Sequence, residues 1–114
     1  MNEILQINIK SDNQSVSLAK AEFLVELDKA KFSKIRLMKV ITGYGSHGKG
    51  GEIKRSLERL LFKLKREKVI EDYILGEKLT KDILHNLCIE FPNLILDSEL
   101  KNYNSGVILV LVSK

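Results

Sequence analysis

Apolar and polar positions along the first third of the chain predict two strands and a helix. Three apolar residues stand at alternate positions between Glu3 and Ile9, the period of a strand with one buried face. From Val16 to Lys31 apolar residues recur at steps of three and four, which predicts an amphipathic helix capped by Ser15 or Ser17. The run from Lys34 to Ile41 predicts a second strand that leads straight into a glycine-rich loop.

The clearest periodicity of the chain follows that loop. From Glu52 to Lys68 leucine and isoleucine side chains share one helical face, while arginine and lysine side chains share another. This pattern predicts a helix with an apolar stripe and a separate basic stripe. The apolar run from Val69 to Leu75 then predicts a third strand.

The remaining third predicts a short helix and a strongly apolar last strand. Thr80 is a suitable cap for a helix that runs through about Phe91 and ends at Pro92. The sequence NLILD, residues 93–97, predicts a short strand. Residues 106–112, GVILVLV, are apolar throughout, which indicates a central strand covered on both faces.

The order strand, helix, strand, helix, strand indicates parallel first strands joined by right-handed crossovers. We therefore predict an α/β fold, a small two-layer βαβαβ…β sandwich with a mixed sheet, in a single domain that spans residues 1–114.

Composition fits a cytoplasmic globular protein. The longest apolar run is far shorter than the roughly 20 residues of a membrane helix, and the first residues lack the pattern of a signal peptide. One cysteine excludes an internal disulfide, and with two histidines it does not suffice for a usual four-ligand zinc site. We expect no membrane partner and no cofactor.

Positive charge is concentrated in one segment. Residues 49–68 contain eight basic and three acidic residues, a surplus of five, whereas the rest of the chain has a net charge of −1. A surplus gathered in this way attracts phosphate groups.

The glycine loop matches two nucleotide motifs in its letters. Residues 43–48 satisfy G-x-G-x-x-G, but too few strands follow for a dinucleotide-binding unit. Residues 43–49 fit the spacing of a P-loop, with Asp97 as a candidate acidic metal ligand. However, Gly50 stands where a Ser or Thr should meet magnesium. Glycines beside a helix start and basic residues serve a phosphodiester backbone equally well.

The loop and its flanks resemble a known family. In small MutS-related (Smr) domains, a strand ending in H-G-x-G leads into a helix that opens with Leu-Arg. The sequence LMKVITGYGSHGKGGEIKRSLERLL, residues 37–61, is similar, with Thr42–Gly45 as a T-G-x-G variant and Ile53 and Lys54 at the Leu-Arg positions. NSGVILVLVSK, residues 104–114, resembles the closing strand. The resemblance implies a fold similar to the C-terminal domain of translation initiation factor three, and binding of DNA or RNA.

Some Smr domains also nick or cleave nucleic acid, but this chain lacks motif residues that the resemblance would place at its first strand. INIKS, residues 7–11, stands where L-D-L-H-G is expected, so Asn8, Lys10 and Ser11 replace an acid, a histidine and a glycine. Thr42 replaces the loop histidine. Hydrolysis of a phosphodiester needs a base, an acid or a metal. Loss of the motif residues argues against nuclease activity. A nuclease is nevertheless the alternative function, with His47 or Asp12 as catalytic candidates and Mg²⁺ or Mn²⁺ as the possible metal.

The sequence thus predicts a phosphate-backbone binder of DNA or RNA. The residues expected to bind nucleic acid are Thr42, Gly43, Tyr44, Gly45, His47, Lys49, Lys54, Arg55 and Arg59. Tyr44 is expected either to stack on a base or to pack the loop against the helix. Residues 76–103, which the family pattern does not explain, are expected to be an insertion or a diverged segment. A third alternative is a protein-interaction module that uses Glu77 to Leu100.

Overall fold

The computed structural model describes residues 3–9, 15–43 and 49–112, with only the backbone described for Lys49 and Gly50. The described chain contains four strands and three α-helices. In chain order these are β1 (Ile4–Asn8), α1 (Val16–Phe32), β2 (Leu37–Ile41), α2 (Lys49–Arg66), β3 (Asp72–Leu75), α3 (Lys81–Glu90) and β4 (Val107–Leu111). Short 3₁₀ turns cover Gly76–Lys78, Pro92–Leu96 and Ser98–Leu100.

The four strands form one mixed sheet in the order β1, β2, β4, β3. β1 and β2 are parallel, and β4 is antiparallel to both β2 and β3. The first three strands therefore run in the same direction, and β4 lies between two neighbours. The predictions of a mixed sheet, of parallel first strands and of a central last strand are confirmed.

The first helix forms as the sequence predicts. Ser15 is its cap, since the Leu18 N–H donates to the Ser15 Oγ at 3.1 Å. The buried face of α1 consists of Ala19, Phe23, Leu27 and Ala30. Steps of three and four residues separate these side chains, so the helix presents one stripe to the sheet.

Helices α1 and α2 cover one face of the sheet. They bury their apolar stripes against the sheet residues Ile7, Met38, Val40, Ile108 and Val110. Two residues after the end of α2, Lys68 adopts a left-handed conformation at φ 63°, and the Val69 N–H donates back to the Leu64 carbonyl at 2.8 Å. Because residues 67–71 form this helix end and the turn after it, β3 begins at Asp72, three residues after the predicted start.

Residues 76–103 cover the opposite face of the sheet, so the predicted two-layer sandwich is wrong in this respect. The segment contains α3 and the three 3₁₀ turns. With the alternate residues of β2 and β4 it forms a second buried cluster of Leu37, Leu79, Phe91, Leu94, Leu100, Val107 and Leu109. Side chains alternate between the faces of a strand, and in the central β4 both sets are apolar. The domain therefore has three layers, and residues 76–103 supply one of them, which we call the second layer.

The predicted strand in residues 93–97 is also wrong. Pro92–Leu96 forms a 3₁₀ turn, in which the Leu94 N–H donates to the Phe91 carbonyl and the Asp97 N–H to the Leu94 carbonyl. Only Leu94 of this run is buried, while Ile95 and Leu96 are exposed. A single inward side chain is enough to hold a turn, but it does not provide the alternating face of a strand.

Charged anchors attach the second layer to the sheet. Lys39, in the middle of β2, is only 2% exposed. Its Nζ donates to Asp97 Oδ2 at 2.7 Å and to Glu99 Oε1 at 2.6 Å. Burial lowers the pKa of the Lys39 ammonium, but the hydrogen bonds and charges of Asp97 and Glu99 outweigh this and raise it above 10.5. Arg36 pairs with Glu90 at the end of α3.

Gly76 is a point where only glycine fits. A Cβ there would lie 1.8 Å from the Asn104 carbonyl oxygen and 2.7 Å from that of Val107. Both obstacles are backbone atoms, which do not move aside as a flexible side chain does. The start of the second layer, directly after β3, is therefore packed against the backbone of the turn that precedes β4.

Candidate functional site

The ends of β1 and β2 meet the start of β4 at one edge of the sheet. Asn8 pairs with Ile41 in the parallel register, and Ile41 pairs with Val107 in the antiparallel one. The Ile9 N–H donates to the Ile41 carbonyl at 3.0 Å. The end of β1, the end of β2 and the start of β4, which are distant in sequence, are therefore neighbours at this edge.

Thr42 anchors the base of the glycine loop. It is fully buried, its N–H donates to the Gly106 carbonyl at 2.8 Å, and its hydroxyl lies 3.3 and 3.4 Å from the carbonyl oxygens of Gly43 and Gly106. A side chain in this position stabilises the loop from below and presents no surface to a ligand. Thr42, one of the predicted binding residues, therefore stabilises the base of the loop and does not face a ligand.

Gly43 starts the loop with a left-handed backbone, at φ 81°. Its N–H donates to the Gly106 carbonyl at 3.3 Å, and a Cβ on Gly106 would lie 3.2 Å from the Gly43 carbonyl carbon. Two glycines thus let two backbones approach closely where the loop leaves the sheet. The remaining loop candidates Tyr44, Gly45 and His47, and the candidate Asp12, lie outside the described residues.

Helix α2 begins at Lys49, three residues before the predicted start, so Gly50 and Gly51 belong to its first turn. The helix buries Ile53, Leu57, Leu61 and Leu64 against the sheet. This apolar stripe determines which of the remaining side chains face solvent. Nothing is described of the Lys49 side chain.

Lys54, a predicted binding residue, is already paired. Its Nζ donates to both carboxylate oxygens of Glu77 at 2.7 Å, and its side chain is only 14% exposed. The pair joins α2 to the first 3₁₀ turn of the second layer. Its positive charge is therefore compensated within the fold, which sequence reasoning missed because Glu77 lies 23 residues away.

The outer face of α2 carries four basic residues, which we call the basic ridge: Arg55, Arg59, Lys63 and Arg66. All four are exposed. In the part of the chain that the structure describes, Arg55, Arg59 and Lys63 have no acidic partner. The neighbouring Lys65 differs, because its hydrogen bond and ion pair with Asp72 at 2.9 Å raise its pKa.

An aromatic side chain stands within the basic ridge. Phe62 is 58% exposed, and the Arg66 guanidinium lies over its ring, 5.8 Å from the centroid. Sequence reasoning did not select Phe62. The signal was nevertheless present, since Phe62 follows Arg59 by three residues and precedes Arg66 by four, the spacing of neighbours on one helical face.

The described residues contain no group of three or more histidine, cysteine or acidic side chains arranged to hold a metal ion. None of the helices in the described ranges has the length and apolar character needed to cross a membrane. Asp97, the candidate acidic ligand of a P-loop, is instead bound to Lys39. Comparisons of the chain with protein-family models, with curated proteins and with solved structures found no match.

Proposed function

We propose that this chain is an Smr-like domain that binds the phosphate backbone of DNA or RNA through the basic ridge of α2 and the adjoining glycine loop. The observation that carries the proposal is the set of exposed cations Arg55, Arg59 and Lys63, which lack an acidic partner within the described ranges. Unpaired cations on one face attract polyanions and release their counterions on binding.

The dimensions of the ridge suit a chain of phosphates. Arg55 and Arg66 are eleven residues apart, which is about 16 Å along a helix axis. Their side chains can therefore contact several successive phosphates rather than a single one. The N-terminal end of α2 lies next to the glycine loop, where unpaired backbone N–H groups favour an anion.

The arrangement at the sheet edge supports the resemblance. Thr42 and Gly43, at the T-G-x-G positions, are held by Gly106, which belongs to the stretch that resembles the closing strand of the family. The described base of the loop is therefore held against the start of β4. Backbone N–H groups are common donors to phosphate oxygens in complexes with nucleic acids.

A binding series across salt concentrations tests the proposal. The variant Arg55→Ala/Arg59→Ala/Lys63→Ala should bind labelled oligonucleotides at least tenfold more weakly at low salt. It should also reduce the slope of log K against log salt by about 2 to 3. The matched control removes three exposed lysines of the second layer, Lys78→Ala/Lys81→Ala/Lys101→Ala, and should change affinity much less. A flat salt response of the unmodified protein would refute the proposal.

A nuclease remains the enzymatic candidate, with His47 or Asp12 as acid or base. The chain should then be incubated with labelled single- and double-stranded RNA and DNA in the presence of Mg²⁺ or Mn²⁺. Cleavage products that disappear in His47→Ala or Asp12→Ala would establish this activity. Absence of products with all four substrates would leave binding as the function.

A protein-interaction module is the third candidate, and one observation favours it. Ile89, Ile95 and Leu96 of the second layer are strongly exposed. Negligible affinity for nucleic acid at low salt, together with a co-purified partner that is lost in Ile95→Ser/Leu96→Ser, would establish this candidate in place of nucleic-acid binding.

A further inference from the structure

The position of Phe62 distinguishes it from other exposed apolar side chains. Single exposed apolar residues are common on protein surfaces and need no explanation by themselves. Phe62, however, lies between Arg59 and Arg66 within the basic ridge, and it belongs to neither buried cluster. Phe32, at the end of α1, is even more exposed at 91% but lies on another helix.

The neighbours of Phe62 are two cations of the basic ridge, the surface proposed to contact the phosphates. Arg59 and Arg66 are seven residues apart, about 10 Å along the helix, with the ring between them. The contact of the Arg66 guanidinium with the ring, at 5.8 Å, attracts the cation to the ring and restrains both side chains. A flat apolar surface flanked by two cations can contact a base and its adjoining phosphates together.

From this geometry we propose that Phe62 stacks on an unpaired base, and that the basic ridge therefore binds single-stranded nucleic acid in preference to duplex. The inference rests on the proposed function and specifies its substrate class. In a duplex the bases stack on each other and leave mainly the backbone and groove edges for a surface helix. In a single strand the bases present their faces, which stack on aromatic side chains with little dependence on sequence.

The experiment measures the anisotropy of labelled probes at fixed salt. The probes are a single strand, the duplex of the same sequence, and an abasic strand of equal length and charge; the single strand and duplex are prepared as both DNA and RNA. The variants are Phe62→Ala and, as a matched control, Phe32→Ala. Since Phe62 lies outside the core, Phe62→Ala should keep the melting temperature of the unmodified protein, which circular dichroism checks.

We expect the unmodified protein to bind the single strand more tightly than the duplex. Phe62→Ala should weaken binding of the single strand by about 5- to 100-fold and leave the duplex and abasic probes within about twofold. The salt dependence should not change, because no charge is removed. Phe32→Ala should leave all affinities unchanged. A larger loss with the DNA or the RNA strand identifies the preferred nucleic acid.

Three results would overturn the inference. If Phe62→Ala leaves the affinity for the single strand unchanged, the ring does not stack. If Phe62→Ala weakens the abasic probe as much as the normal strand, the ring acts on the backbone or on the helix instead. If the unmodified protein binds no probe at low salt, the proposed function itself fails. This result is distinct from the first two, in which the unmodified protein does bind the single strand.

Discussion

The two layers that enclose the sheet use positive charge in opposite ways. On one face α1 and α2 pack against the sheet through apolar stripes. Among the cations of α2, Lys54 and Lys65 form ion pairs, whereas Arg55, Arg59 and Lys63 have no acidic partner in the described chain. On the other face a ten-residue helix and three 3₁₀ turns pack through a smaller apolar cluster. There Lys39 of β2 forms ion pairs with Asp97 and Glu99 of the segment, and Lys54 reaches the segment's Glu77 from α2. The outer face of α2 thus keeps three cations without an acidic partner in the described chain, whereas the irregular layer is attached to the rest of the fold through ion pairs.

The largest effect is expected from removing a core aromatic ring in either layer. Phe23→Ala and Phe91→Ala each delete a fully buried ring and should each lower the free energy of unfolding by about 3–5 kcal/mol. Denaturant titration followed by circular dichroism measures both. If the second layer were a mere addition to the domain, Phe91→Ala would leave the main transition in place, and this result would contradict the three-layer description.

Removing the carboxylates that hold Lys39 should have a comparable effect. Asp97→Asn/Glu99→Gln leaves a buried ammonium group without opposite charge, which should lower the free energy of unfolding by about 3–5 kcal/mol. Lys39→Met is the matched control and should be less damaging, since Asp97 and Glu99 reach solvent once the lysine is gone. If the same titration gave equal losses in the free energy of unfolding for both variants, the loss would not arise from leaving the Lys39 ammonium buried without an opposite charge.

A smaller loss is expected at the point where the second layer begins. Gly76→Ala places a Cβ against two backbone carbonyl oxygens and should cost about 1–3 kcal/mol of stability, because the turn before β4 must shift. Asn102→Gly is the control, a change at an exposed residue of the same segment with φ 64° that glycine adopts freely. Thermal denaturation compares the two, and an unchanged melting temperature for Gly76→Ala would contradict the close approach.

The smallest effect concerns alkaline pH. The pKa of Lys39 is raised in the folded protein above its ordinary value of 10.5. Its ion pairs therefore contribute their full stabilisation at pH values below 10.5, and this contribution is lost as the pH rises through the higher pKa of the folded state. We expect the difference in stability between the unmodified protein and Lys39→Met to shrink only above pH 10.5. Denaturant midpoints measured across this range test the sign. A difference that grows with pH would contradict it.

Local patterns predicted the parts of the fold that depend on local chemistry. Ser15 and Thr80 cap helices as expected, because a hydroxyl before a periodic run satisfies the first free N–H groups. The continuous apolar run of β4 indicated a strand covered on both faces. In contrast, the run of residues 93–97 does not distinguish a strand from a turn, because one buried leucine among exposed ones gives no period.

Long-range pairing explains what the sequence did not reveal about the site. The charge of Lys54 resembles those of Arg55 and Arg59 in sequence, yet its bond to Glu77 depends on how the second layer returns to α2. The buried place of Thr42 likewise depends on Gly106, 64 residues further along the chain. By contrast, the basic ridge followed from helical spacing alone, and the same spacing would have drawn attention to Phe62.

The central place of β4 has a consequence for the order of events during synthesis. β2 pairs with β4 through residues such as Ile41 and Val107, and β3 finds its only described partner strand in β4. While the ribosome is still making residues 76–103, one edge of β2 is bare and β3 has no neighbour in the sheet. The sheet therefore closes only when its last strand pairs with residues far back along the chain, and such non-local pairing is a feature of slowly folding topologies.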